Sequence, residues 1–391
     1  MPPISKFNIE NNTITLTYYD KRSYKTSTFT SDVNDVDTSK TVVIRSSYAP
    51  YHFSPFARGE VRREGGVLKY AGDPVTDGRV LVVFEGKLYV VCPPNIKECW
   101  LISGTDQDGV NSIITSQVVD MSRLFSHDTT FNHSVDAFDT SSVTDMSEMF
   151  AGAIRFNKPL NLQTQNVVSM SQMFAGGTSF NSDVNFANTS NVEDMSLMFH
   201  DASSFNKPVN FNTSKVASMD GMFSLAVSFN QPIDFDGSSL VNTHEMFYGC
   251  LDFNSPLKIS NTRNLKNASS MLMRARTFNQ FIDIDLRNVT NLDQFLCEAD
   301  SFDYPLRLCS LTRLQSAARM MARCESFSGL LLMQLPEGFN MQRAPDPSTI
   351  NNRFMLTDLR PESSYSEAVR AKQFVEAIEG SRYIIAVPRE S

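Results

Sequence analysis

The chain has 391 residues, 41% hydrophobic and 20% charged, so it can bury a core and is not a disordered polymer. A net charge of −8 and a pI near 5.3 argue against a general nucleic-acid or anionic-membrane binder, which needs a net basic face. There is no run of 18 apolar residues, and six Cys are too few for a disulfide framework. Phe (29) and Met (18) are frequent beside a single Trp, the skew left when one motif is copied many times.

Residues 1–115 carry no repeat and read as a β-rich domain. Ile14, Leu16 and Tyr18 alternate with Thr, the period of a strand. Val80 to Val91 reads as a hairpin about Glu85-Gly86, and Gly65-Gly66 reads as a turn.

From Val118 to Gln334 the chain repeats every 24 or 25 residues, giving nine units. Each unit has an anchor: Met121, Met146, Met170, Met195, Met219, Thr243, Ala268, Leu292 and Ala317. Apolar residues recur three before the anchor and three, four, seven and ten after it, one face of a helix or tight turn. At fourteen and sixteen after it the period becomes two, as in Val184/Phe186 and Val209/Phe211, which predicts a short strand. The seventh position is small, from Ala153 and Gly177 to Cys250 and Cys324, as close packing between neighbours requires. Pro159, Pro208, Pro232, Pro256 and Pro305 open their strands, where a missing N–H is tolerated.

Stacked units bury a continuous core that one unit cannot, so the expected fold is a repeat solenoid with a short strand plus helix or turn per unit. Asn132, Asn157, Asn181, Asn206, Asn230, Asn254 and Asn279 follow the tenth-position Phe and are expected to form a buried structural ladder satisfying turn backbone. Units eight and nine lose the motif, as terminal capping units do. Beyond them, 335–360 reads as a Pro/Asn-rich linker and 361–391 as a helix and a strand. Ser364 and Glu367 are spaced as a capping box for that helix, to about Glu379. Tyr383 to Val387 is a strand able to pair with another sheet edge.

The residues show no catalytic constellation. The five His fall at unrelated repeat positions, and no zinc spacing, phosphate loop or nucleophile elbow occurs. The reading is therefore no enzyme, no cofactor and no metal site, with an enzyme in the N-terminal domain as the least favoured alternative. The exposed position fifteen after the anchor carries Asp136, Asn161, Asn185, Asn210, Asp234 and Asp283, a candidate interaction face for other proteins. Calcium is a lesser reading of that acid-amide strip. Residues 118–264 hold 7 basic and 15 acidic side chains and 265–334 hold 8 and 7, so the array is acidic over its first six units. Such polarity could orient a partner or stack copies head to tail.

The pattern V-x-x-M-x-x-M-F-x-x-A-x-x-F-N, followed by a T-S-x-V return, resembles the Met-Phe-rich repeat of the BspA-like leucine-rich-repeat surface proteins. FDTSSVTDMSEMF, Phe138 to Phe150, carries the resemblance most clearly. The resemblance implies a solenoid used for adhesion or protein–protein contact; similar repeats are widespread in protists and large DNA viruses. Met1 to Asn12 lacks the apolar run of a signal peptide, so the expectation is cytoplasmic synthesis and assembly into a particle, such as a virion or capsid. A cell-surface adhesin is the alternative.

Overall fold

A computed structural model describes residues 113–308 without a break, then 311–327, 331–336, 339–343 and 345. Before them it describes 4–10, 13–20, 25–32, 42–46, 53–54, 59–64, 67–72, 80–84, 87–92 and 94, and after them 354–359 and 382–388.

The apolar spacing at three, four and seven suits two successive tight turns as well as a helix, and turns are what form. In all nine units the residues two and six after the anchor have positive φ, between 52° and 69°. Gly fills four of these eighteen positions (Gly152, Gly176, Gly221 and Gly249), and the others include Gln172, Leu197 and Arg274. A right-handed helix cannot pass through such residues, each of which costs about 1–2 kcal/mol when it is not Gly.

The hydrogen bonds show what offsets that cost. The N–H of the anchor and those two, four and six residues later donate to carbonyls of the next unit. In unit four these are Met195 to Ser218, Leu197 to Asp220, Phe199 to Met222 and Asp201 to Ser224, at 2.7–3.1 Å. The N–H groups between them close turns within the unit, as Met198 to Met195 and His200 to Leu197. A helix would spend every bond inside one unit; here every second one ties two units together. The expectation of a helix or a turn per unit is thus narrowed to the turn.

The residue before the anchor bridges its counterpart in parallel through all nine units, from Asp120↔Asp145 to Asn291↔Ser316. Its side chain also accepts the N–H two residues on, as Asp145 does from Ser147 at 2.8 Å. The expected strands lie on another side. Among the described residues they are paired over several residues only from unit five onward: Ile233–Asp236 with Leu257–Ser260, that with Ile282–Ile284, and Leu306–Leu308 with Leu331–Leu335, all parallel.

Two columns of Phe fill the core. Phe150, Phe174, Phe199, Phe223 and Phe247 stack at 5.3–5.8 Å between centroids, and Phe156 through Phe327 at 5.6–6.1 Å. The rings are near-parallel, the arrangement that one identical residue per stacked unit dictates. One apolar cluster runs from Val90 to Phe339.

Both ends of the array are covered by non-repeat chain. The Pro94 carbonyl accepts from Val119 and Asp120, the part a preceding unit would play, and the Arg343 carbonyl accepts from Ala317, the part of a following one. The strand Lys87–Val91 pairs with Ile113–Ile114 in parallel and with Val80–Phe84 as the expected hairpin. Gly59–Glu64 and Val67–Gly72 also pair; Gly65-Gly66 between them lies outside the described residues.

Three expectations for the C-terminal part change. Unit eight is not a cap. Unit eight makes all four inter-unit bonds, from Leu292, Gln294, Leu296 and Glu298, because the backbone pattern outlives the motif. The stretch read as a linker contains the strand Phe354–Leu359. The last strand, Arg382–Pro388, is no free edge: it pairs with Leu331–Leu335 on one side and Phe354–Leu359 on the other. The helix expected from Ser364 lies outside the described residues.

Candidate interaction surface

Three columns of side chains line the array at one-unit spacing, and they differ in what holds them. The first is buried. Thr140, Thr164, Thr189 and Thr213 stand three residues before the buried Val of their units and are nearly inaccessible. Each hydroxyl donates to a carbonyl of the next unit and accepts the N–H of the same residue, as Thr213 does with Asp236 at 3.0 and 2.9 Å. The side chain thus stands in for a peptide group where the chain turns a corner. From the sequence this Thr was legible only as part of the T-S-x-V return, with no structural role assigned to it. Where unit six has Gly237 instead, a Cβ would come within 2.7 Å of Thr262 Cγ2, so only backbone fits.

The second is the Asn ladder. Asn132, Asn157, Asn181, Asn206, Asn230 and Asn254 each accept, through Oδ1, the N–H of the next Asn, and Asn279 accepts that of Asp303, at 2.8–3.0 Å. It is not buried: five of the seven Asn are exposed, and Asn206 and Asn279 are half-buried. The Phe before each one points inward, and its neighbour is thereby turned to solvent.

The third is the candidate contact face. Asp136, Asn161, Asn185, Asn210, Asp234 and Asp283 are all exposed. Adjacent members touch: the Asn161 amide donates to Asp136 at 3.4 Å and the Asn185 amide to Asn161 at 3.2 Å. Lys258 occupies the same column between Asp234 and Asp283 and bonds to Asp234 at 2.9 Å. The Asp234 carboxylate beside it raises the Lys258 pKa above its ordinary value. A cation here would meet a lysine and amides already paired with one another. Among the described residues no group of three or more His, Cys, Asp or Glu is placed to hold a metal ion.

The turn side differs in charge. Arg274, Glu298 and Arg323 occupy the sixth position of units seven to nine, with Arg274 Nε 2.8 Å and Arg323 Nη1 3.2 Å from the Glu298 carboxylate. The bonded Arg274 guanidinium, and then Arg323, hold the Glu298 carboxyl below the usual range. At the other end of the array Arg123 pairs with Glu148 at 2.6 Å.

The titratable residues considered for chemistry do not converge. His127 and His133 lie in unit one, His200 in unit four and His244 in unit six; His52 and Cys99 lie outside the described residues. The Cys250 and Cys324 thiols donate to the Phe223 and Leu296 carbonyls at 2.8 and 3.0 Å. Burial pushes both well above the ordinary thiol range. No helix among the described residues is long and apolar enough to cross a membrane.

A family model described as "Mycoplasma protein of unknown function, DUF285" matches residues 97–210, 160–255, 183–284, 209–308 and 234–334. Successive matches start about one to three repeats apart, as a tandem array should give. Among curated proteins and among solved structures nothing matches the chain. The overlapping matches span 97–334, well over half of the 391 residues, and the chain belongs to this family of tandem-repeat proteins.

Proposed function

We propose that the chain is a non-enzymatic protein–protein interaction solenoid of leucine-rich-repeat type, acting as a structural subunit of a large assembly such as a virion or capsid. The supporting observation is the set of outward columns, held in register by at least four main-chain bonds from unit to unit. Nine units at about 4.8 Å per step give a contact face on the order of 40 Å long. Fixing that face beforehand removes the ordering cost that a flexible partner surface incurs on binding. Both ends being covered, partners meet the sides of the array, and head-to-tail stacking of copies is disfavoured.

The second reading is a cell-surface adhesin of the BspA-like type, favoured by the repeat Phe138 to Phe150. Fractionation of the source organism separates the two. The assembly reading expects the protein in purified particles or a large complex, from which Asn161→Arg with Asn185→Arg and Asn210→Arg releases it without a change in melting temperature. Protein that always fractionates alone overturns it. Protein on the cell exterior bound to host or matrix proteins establishes the adhesin.

A further inference from the structure

The cover at the C-terminal end takes up only part of what the last unit offers. In each of units one to eight the N–H groups two, four and six residues after the anchor donate to carbonyls of the following unit. In unit eight these run from Gln294 to Ala318, Leu296 to Met320 and Glu298 to Ala322, at 2.7–2.9 Å. In unit nine the cover serves the anchor alone: the Ala317 N–H donates to the Arg343 carbonyl at 2.8 Å. The N–H groups of Arg319, Met321 and Arg323 meet no acceptor among the described residues. Met321 is buried, whereas Arg319 and Arg323 are exposed. Both hold positive φ, 56° and 61°, like their counterparts in the other units. The turn-side edge of unit nine is thus already shaped for a further chain to run alongside it.

The side chains at these two positions show what such a chain must carry. At position two, Arg123 of unit one meets Glu148 of unit two at 2.6 Å. At position six, Glu298 of unit eight meets Arg274 of unit seven at 2.8 Å and Arg323 of unit nine at 3.2 Å. Arg and Glu therefore pair along both columns, and unit nine ends both on Arg. Among the described residues of unit nine the one carboxylate is Glu325, against Arg313, Arg319 and Arg323, with Arg343 on the cover beside them. The neighbouring carboxylates of unit eight are already engaged. Asp293 accepts from Ser316 and Ala318, Glu298 holds its two Arg, and Asp300 lies 3.6 Å from Arg276. A second copy does not fit, because its unit one would set Arg123 against Arg319 and His127 against Arg323.

We propose that the turn-side edge of unit nine takes a segment of another protein that runs parallel to residues 319–323 and carries two acidic residues four apart. Its carbonyls accept the Arg319 and Arg323 N–H groups, and its carboxylates meet the two guanidinium groups. This rests on the protein-interaction reading above.

The test uses the full chain and two labelled peptides followed by fluorescence anisotropy. The first copies residues 290–303 with Gln294→Glu and Cys297→Ser, which places acids at positions two and six. The second has Gln294→Arg, Glu298→Arg and Cys297→Ser. The acidic peptide should bind, more weakly as salt rises, and should slow hydrogen exchange at the Arg319 and Arg323 amides; the second should not bind. Arg319→Glu, which leaves the Glu298 pairs in place, should weaken binding about tenfold with the melting temperature unchanged. No binding of the acidic peptide, equal binding of the second, or indifference to Arg319→Glu overturns the proposal. Amides at 319 and 323 already protected in the free chain overturn it in favour of pairing within the chain. Binding that adds no protection there overturns the main-chain contact. Head-to-tail polymers seen by sedimentation, and dispersed by Arg319→Glu, overturn it in favour of a second copy. If the chain with Asn161→Arg, Asn185→Arg and Asn210→Arg leaves its native complex while Arg319→Glu remains in it, the edge of unit nine is no partner contact and the scaffold reading stands.

Discussion

Units one to six and units seven to nine share a backbone and one Phe column, but not the other. The first six place Phe four residues after the anchor, from Phe125 to Phe247; the last three place Leu272, Leu296 and Met321 there. The anchor itself drifts from Met to Ala268, Leu292 and Ala317. Yet the positive-φ residues stay at two and six, and the donors of units seven and eight still reach the next unit. What is common to all units is therefore the hydrogen-bond parity. The Phe-Met motif is one way of filling the space that parity creates. The exterior diverges too: among the described residues only the late units link three successive units through one carboxylate, Arg274–Glu298–Arg323.

The largest expected effect separates the two cores. Phe205→Ala removes a ring stacked between Phe180 and Phe229 and touching Phe199, and should cost about 3–5 kcal/mol in denaturant melts of the full chain. Phe180→Ala should do the same. Leu296→Ala in the late core should fall toward the lower part of about 2–5 kcal/mol, because no aromatic stack is broken. A Phe205→Ala loss below about 1 kcal/mol would remove that ring from the core.

Next come the two polar columns. Thr213→Val keeps the shape but strands both the Asp236 N–H and its carbonyl in a buried corner, for about 1–3 kcal/mol. Asn206→Ala removes a bond at the water-accessible edge and should cost about 1 kcal/mol. Asn185→Ala on the candidate contact face should stay within about 0.5 kcal/mol. Equal losses at Thr213 and Asn206 would mean that burial does not distinguish the columns.

The smallest effect is pH-dependent and belongs to the late units. Glu298 has a folded pKa below its unfolded one, so its pairing stabilises fully above the ordinary glutamate range. That contribution is lost as pH falls through the depressed folded value. Glu298→Gln should flatten this part of the acid melting profile and leave the profile near neutrality parallel to that of the parent. An unchanged acid limb would show the pairing to be without consequence for stability.

Much of this was legible in the residues. The repeat length, the buried positions, the strand at fourteen and sixteen and the small seventh slot follow from side-chain size and polarity, which tandem copying displays nine times over. The choice of turn over helix was not legible. Both bury the same positions, and Gly marks only four of the eighteen positive-φ sites. The ladder Asn residues were identifiable from their spacing, but not their exposure, which depends on the direction the chain takes after the Phe. On the candidate contact face the acid-amide strip could be read by periodicity.

The central structural claim is that the anchor segment is a pair of inter-unit turns, and one comparison of variants tests it with opposite signs. Gln172 in unit three and Gln294 in unit eight both hold positive φ, at 55° and 57°. At each site we expect the Gly variant to be more stable than the Ala variant by about 1 kcal/mol, because Ala carries the left-handed strain that Gly escapes. In a helix the order reverses, Ala exceeding Gly by about 1 kcal/mol. Denaturant melts of the four variants decide it: Gly above Ala at both sites is the predicted result, and Ala above Gly at either would contradict the account.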